Sequence, residues 1–302
     1  MSSIVTPDFV AGVYTNYRSE FNEYYAAALK EFPLADLVTE VPSTKDTEDY
    51  SWLGDLPAVR EFVGERVYKG IAVHNYSIKN KTWENTIAID ADTFEDTNQV
   101  VQIRPRVQDL AASIVRHKFS LLTTLIEANG TVYDGQALYS NSHSSGESGT
   151  QDNLLSGAGT SVANLKTDMI AAKAALRKFK TDTGEYVNAG MNLVVMAPPA
   201  LEGVFDEFLN ATIISQTTNI FKGAAKLIIN PYLTDANDWY LFNVVGPIKA
   251  LIFQMREQPS LTAITSPQSD HVFKYNEYLW GTKARYNAGF GLWQLTCKVV
   301  NT

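Results

Sequence analysis

Hydrophobic positions recur at helical spacing in two long windows of the chain. After Thr6-Pro7, a capping residue followed by proline at the first helical position, Val10, Val13, Tyr17, Phe21, Tyr24 and Ala28 share one stripe. This predicts a helix over about residues 7–30. Its stripe is rich in aromatic rings, which suits an ordinary amphipathic helix and equally a helix laid on a neighbouring chain. The second window covers residues 99–128, with Ile103, Val107, Leu110, Ile114, Leu121 and Leu125 in register, Pro105 near the start and Asn129-Gly130 as the stop. At 1.5 Å per residue this helix is roughly 40 Å long. His117 falls on its apolar stripe; a packed, hydrogen-bonded histidine is preferred there over a ligand or pH switch. A third helix runs from a Ser161 cap to about Phe179, carrying Leu165, Met169, Ala172 and Leu176.

Strand patterns fill much of the remainder. Residues 68–90 read as a hairpin: Ile71, Val73, Tyr76 and Ile78 on one side, Trp83 to Ile89 on the other, around the polar tip Lys79-Asn80-Lys81-Thr82. Neither run has a continuous apolar face, so a ribbon that projects from the body and rests on another surface is expected. Leu193–Ala197, Leu227–Ile229, Trp239–Val245 and Ala250–Met255 read as buried strands. Pro198-Pro199 opens a helix with Leu201, Val204, Phe205 and Phe208. Near the end Trp293, Leu295, Cys297 and Val299 alternate with polar residues, as in a strand. Residues 131–160 form a polar loop. Residues 33–66 show little periodicity, three prolines and many acids, and a segment of that length needs something to lie on, such as a partner.

Composition narrows the function classes. With 302 residues, 45% hydrophobic and 19% charged, the chain is globular. Its formal net charge of −8 disfavours tight nucleic-acid binding, although it fits a container wall in weak, non-specific contact with DNA. A single cysteine, Cys297, excludes an internal disulfide and reads as a buried apolar side chain. No signal-peptide pattern and no apolar run of about 18 residues is present, so a soluble protein made inside a cell, with no membrane partner, is expected. Candidate chemistry is sparse. There is no glycine-rich phosphate loop, and Gly146-Glu147-Ser148-Gly149 misses a hydrolase elbow because position 150 is Thr. His74, His117, His143 and His271 are far apart in sequence. Asp134 and His143 lie in one cluster, Tyr133 to His143, and could serve as a catalytic pair or as metal ligands; a structural turn on Asp134-Gly135 is the preferred reading. Asp92, Glu95 and Asp96 read as an acidic lead-in to the long helix. No catalytic residue, metal or cofactor is expected.

Three stretches resemble the Mu-like phage major head subunit: Val41-Pro42-Ser43-Thr44 with Tyr50 to Pro57 and Phe62 to Arg66; Tyr76 to Glu84; and Tyr133 to His143. In the third the sequence departs from the family, which usually carries a proline where Ser144 stands. The resemblance implies an α+β chain of the Hong Kong 97-type phage capsid fold. Mapped onto this sequence, it implies an N-terminal helix and arm at 1–66 and an extended hairpin loop at 67–95. A peripheral domain with a long spine helix and polar loop follows at 96–189, then an axial α/β domain at 190–265. The C-terminal strands, 266–302, return to the peripheral domain. It also implies inter-subunit contacts through arm and hairpin, for which Tyr17, Phe21, Trp52, Tyr76, Ile78, Lys79, Lys81, Trp83 and Ile87 are the candidates. The partners implied are copies of the chain itself in hexamers and pentamers of an icosahedral shell and packaged double-stranded DNA. Scaffold, head protease and portal are expected as separate chains, with assembly in the host cytoplasm and residence in the virion. Cross-linking through Lys79, Asn80 or Lys81, known in some shells of this fold, is set aside in favour of an ordinary polar turn. The alternatives are a nanocompartment shell of the same fold, another virion structural protein (tail or decoration), and a hydrolase built on Asp134 and His143.

Overall fold

The computed structural model describes residues 7–51, 53, 76–92, 100–214, 216–266 and 268–301. Helix α1 spans Pro7–Lys30 and helix α2 spans Val100–Ala128. Along α1, Tyr17, Phe21 and Tyr25 are buried at four-residue intervals, and the rings of Phe21 and Tyr25 lie parallel with centroids 6.3 Å apart. The expected stripe ran through Tyr24; it turns instead onto Tyr25, leaving Tyr24 exposed. In α2 the buried stripe is Val107, Leu110, Ala111, Ile114, Lys118, Leu122 and Ile126, with Leu121 and Leu125 at its margins. Asn129, at a left-handed φ of 47°, ends α2. Its side-chain amide donates to the Tyr139 carbonyl (3.1 Å) and accepts from the Tyr139 N–H (2.7 Å), tying the helix end to the following loop.

Helices α1 and α2 cover one face of a four-stranded sheet ordered β1-β11-β12-β4. These strands are β1 (Val38–Pro42), β4 (Lys81–Asp90), β11 (Leu251–Ile264) and β12 (Glu277–Phe290). β1 runs parallel to β11; β12 is antiparallel to both β11 and β4. Strict alternation sets the two faces. Tyr278, Trp280, Thr282, Ala284 and Tyr286 are buried towards the helices, while Leu279, Gly281, Lys283 and Arg285 point the other way. At one end of that second face lies a short ribbon of β2 (Thr47–Asp49) and β3 (Ser77–Lys79). Ile78 of the ribbon occupies the space a side chain at Gly289 would need.

The described part of the expected hairpin, 76–90, is arranged differently from a two-stranded ribbon. Residues 68–75 lie outside the described residues. Within the rest, β3 pairs with β2, and β4 pairs with β12 over its whole length, Lys81 against Tyr286 to Asp90 against Glu277. The supposed tip is the junction between two sheets: Asn80 is buried and donates through its side chain to Ser43 Oγ (2.8 Å) and the Lys45 carbonyl (2.8 Å). Trp83, Ile87 and Ile89 alternate towards α2, so β4 is a sheet strand, and excising 68–90 would remove a strand from the body.

The second sheet is five-stranded, ordered β5-β13-β10-β6-β9. It comprises β5 (Leu154–Ser156), β6 (Leu193–Ala197), β9 (Lys226–Ile229), β10 (Trp239–Asn243) and β13 (Thr296–Val300). Every residue of β6 and of β10 is buried. Helix α3 (Val162–Lys178) starts where expected, with Ser161 Oγ accepting from the Asn164 N–H at 3.3 Å. Helix α4 (Glu202–Asn210) follows a 3-10 turn at Pro199–Leu201. A small hairpin of β7 (Ile213–Ile214) and β8 (Thr217–Thr218) projects beyond it, and helix α5 (Asp270–Tyr275) joins β11 to β12.

The sheets place two strands differently from the expected mapping. β11, assigned to the axial domain, belongs to the sheet beneath α2, whereas β13 sits between β5 and β10 in the other sheet and does not return to the α2 layer. Trp293–Leu295 form a 3-10 turn in place of continuous strand. There buried Gln294 accepts from the Tyr133 hydroxyl (2.9 Å), and its carbonyl accepts from Asn188 (2.7 Å), bonds a regular ladder would not supply.

Candidate functional site

The candidate contact residues divide sharply. Tyr17, Phe21 and Ile78 are buried within this chain, which takes them out of the set of available contact residues. The apolar stripe that suggested a partner is spent on α2 and the sheet. Trp52 lies outside the described residues. Tyr76, Trp83 and Ile87 are half-buried against the same core. Lys79 and Lys81 are exposed.

Trp83, His117 and Tyr286 form one aromatic wall. The Trp83 and His117 rings are 4.2 Å apart, Trp83 Nε1 donates to the Tyr286 carbonyl (3.0 Å), and the Tyr286 hydroxyl hydrogen-bonds His117 Nδ1 (2.7 Å). They border a cleft of about 200 Å³ that also takes in Ser113, Ile114 and Thr282. Burial lowers the pKa of His117, which favours the neutral ring in this wall. His117 is thus the packed, hydrogen-bonded histidine its place on the helix stripe suggested.

The next residue, Lys118, is only 2% exposed. Its ammonium lies 4.7 Å from the Phe253 ring, 5.4 Å from Tyr25 and 5.9 Å from Tyr286, in the seam between α1, α2 and the sheet. Burial pushes its pKa down to about 8, partly opposed by the Glu40 carboxylate. Sequence reading missed it, although position 118 continues the i, i+4 series through Ile114 and Leu122.

The open side of the four-stranded sheet carries a cluster of cations and carboxylates. Asp46 meets Lys79 (3.8 Å), Arg256 (3.8 Å) and Arg285 (3.5 Å), and Lys283 meets Glu257 (3.7 Å). The alternation of Leu279, Gly281, Lys283 and Arg285 against buried neighbours was the available signal for this face. Glu48 closes the adjoining turn, its carboxylate accepting from the Thr44 and Lys45 N–H groups and the Ser43 hydroxyl, which lowers its pKa.

Asp134 and His143 do meet, at 2.6 Å between Oδ2 and Nδ1, but both side chains are buried. Nε2 of His143 lies 3.2 Å from the Leu138 carbonyl, and the ring is stacked on Trp293 at 3.9 Å. Asp134 Oδ1 accepts from the Gln136 N–H across the turn at Gly135, whose φ is 83°. With both ring nitrogens engaged and no exposed atom, this pair pins the loop and offers no base to a substrate. Burial raises the pKa of the Cys297 thiol, which keeps it protonated and unreactive. Among the described residues no group of three or more His, Cys, Asp or Glu is placed to hold a metal ion, and no helix is long and apolar enough to cross a membrane.

The family model for the Mu-like prophage major head subunit gpT matches residues 10–167, 158–233 and 234–302. The chain belongs to the Mu-like prophage major head subunit family. It is therefore a major capsid protein of a phage or prophage, a subunit of a shell, and its role in that family is structural. The Escherichia phage Mu protein named "Major capsid protein" is 26% identical over 98% of this chain and 75% of its own length. The "Mu-like prophage FluMu major head subunit" of Haemophilus influenzae is 25% identical over 96% of this chain and 73% of its own. The fold agrees. The procapsid subunit of bacteriophage JBD30 superposes with a TM-score of 0.58 at 21% identity, covering 99% of this chain and 77% of that one. The virus-like particle from Pyrococcus furiosus gives 0.55 at 10% identity, over 94% and 99%. This head-subunit chain has the α+β, Hong Kong 97-type capsid fold.

Proposed function

We propose that this head subunit assembles with copies of itself, as hexamers and pentamers, into a closed icosahedral shell around double-stranded DNA. Membership of the head-subunit family along nearly the whole chain is the observation that carries the reading. The surface is consistent with it: Ile213, Ile220, Phe273 and Tyr275 are large hydrophobic side chains left exposed by the isolated chain, and such residues mark interaction sites when they cluster. A formal charge of −8 suits a wall in weak, non-specific contact with packaged DNA. Scaffold, head protease and portal are supplied by separate chains, assembly takes place in the cytoplasm of the bacterial host, and the protein then resides in the virion.

Negative-stain microscopy of the purified chain tests the reading. Closed shells are expected, alone or with a scaffold chain added; particles limited to monomers under every condition, scaffold included, contradict it. Nucleic-acid analysis of particles from the host separates a DNA-filled head from a nanocompartment of the same fold that encloses proteins.

A further inference from the structure

Helices α1 and α2 cover one face of the four-stranded sheet; among the described residues only the β2–β3 ribbon lies on the other, at its Gln254 and Gly289 end. Registration across β4, β12 and β11 defines the other face row by row: Ala88–Leu279–Ile264, then Thr86–Gly281–Thr262, then Glu84–Lys283–Ser260. An antiparallel sheet with a solvated face normally carries polar residues there. Here the first row is apolar, with Ile264 45% exposed. The adjoining helix α5 adds Phe273 at 86% and Tyr275 at 64% exposed. The middle row is small and flat. A side chain at Gly281 would come within 2.9 Å of Thr86 Oγ1, so glycine lets Thr86 lie across the strand.

The far end is cationic and incompletely neutralised. Among the described residues Lys79, Arg256 and Arg285 share the carboxylate of Asp46 at 3.5–3.8 Å, longer than hydrogen-bonded ion pairs, while Lys283 meets Glu257 at 3.7 Å and lies opposite Glu84. Arg285 Nε is buried with no acceptor among the described residues. The chain as a whole is acidic, with 33 Asp and Glu against 25 Lys and Arg. A cationic patch on an acidic chain complements the rest of that chain's surface.

We propose that this open sheet face, from Ile264, Leu279 and Ala88 at its apolar end to Lys283, Arg285 and Arg256 at its basic end, is an interface that receives an acid-bearing surface of a second copy of the chain. The inference rests on the shell reading and adds to it where two copies meet and by what chemistry: apolar contact at one end and a carboxylate reaching the arginines at the other. The contact is heterologous, since a basic patch does not complement itself.

The test compares the wild-type chain with Lys283→Glu, Ile264→Asp and the conservative Lys283→Arg, following assembly by sedimentation and monomer folding by thermal melting. The two disruptive variants are expected to melt like wild type while the concentration needed for assembly rises at least 10-fold; Lys283→Arg assembles normally. Should either disruptive variant melt lower, Lys283→Gln and Ile264→Ser carry the same comparison with smaller perturbation. Disruptive variants that assemble at the wild-type concentration overturn the interface and leave the shell reading standing. Wild-type chain that never assembles overturns the shell reading itself.

Discussion

The two sheets of this subunit solve the same packing problem differently. In the five-stranded sheet, β6 and β10 are buried at every position, and the buried amides near them are paired within the chain: Asn243 donates to Asn188, and Asn153 to the Leu138 carbonyl, both at 2.8 Å, although Trp239 Nε1 has no acceptor among the described residues. The four-stranded sheet buries one face beneath α1 and α2 and leaves the other carrying exposed isoleucine and loosely neutralised arginine. The five-stranded sheet is closed around its central strands, whereas the four-stranded sheet leaves a face that the proposed partner would cover. A shell subunit needs both. The self-sufficient part keeps the chain folded before assembly, and the incomplete part supplies the affinity, repeated over many contacts.

The largest effect that sharpens this contrast lies in the closed sheet. Trp239 and Phe242 are fully enclosed, so Trp239→Ala or Phe242→Ala should cost about 3–5 kcal/mol in denaturant unfolding. A loss near zero would mean that this half is not the stabilising one.

Next comes the seam that joins α1 to the open-faced sheet. Lys118 places a charge among rings with no ion-pair partner at contact distance among the described residues, and an apolar residue of similar length is better suited to that site. Lys118→Met should stabilise the monomer by about 1–3 kcal/mol at neutral pH. The sign of the pH dependence follows from the lowered pKa. The unfolded chain holds the Lys118 proton more tightly than the folded one, so wild-type stability rises as pH climbs from about 8 towards the ordinary lysine value. The gain from Lys118→Met should therefore shrink across that window and be constant below it. Melting curves of both proteins from pH 6 to 10 check this, and a gain independent of pH would show that the buried charge is not the cause.

A smaller effect is expected at the start of α3, where Ser161→Ala removes the cap that accepts from Asn164 and should cost about 1 kcal/mol. The smallest is on the open face: Ile264→Ser should change monomer stability by no more than about 0.5 kcal/mol, because that side chain is largely exposed in the isolated chain.

Local features of this fold were legible in the sequence, and long-range pairings were not. α1, α2 and α3 follow from caps, periodicity and the Asn129 stop, all encoded within a few residues of each helix end. The pairing of β4 with β12 was hidden, because Lys81–Asp90 pair with residues nearly 200 positions away, while adjacency in sequence drew attention to 68–78. Alternation likewise shows that Cys297 and Val299 are buried but not which strands flank them, β10 on one side and β5 on the other. The Asp134–His143 cluster was rightly read as a turn from its Asp-Gly pair, though its depth beneath Trp293 depends on a contact across 150 residues. Lys118 and the arginines of the open face escaped notice because a charged side chain at a core position, or on one face of a strand, is visible only once the opposite elements are in place.

The central claim, that the open sheet face is completed by another copy, is tested most directly by a cryo-electron microscopy map of the assembled particle. The account predicts Ile264 and Leu279 in van der Waals contact with a neighbouring subunit and a carboxylate of that neighbour within hydrogen-bonding distance of Arg285 or Arg256. A particle in which this face looks onto solvent, with Lys283 and Ile264 touching no other subunit, contradicts it.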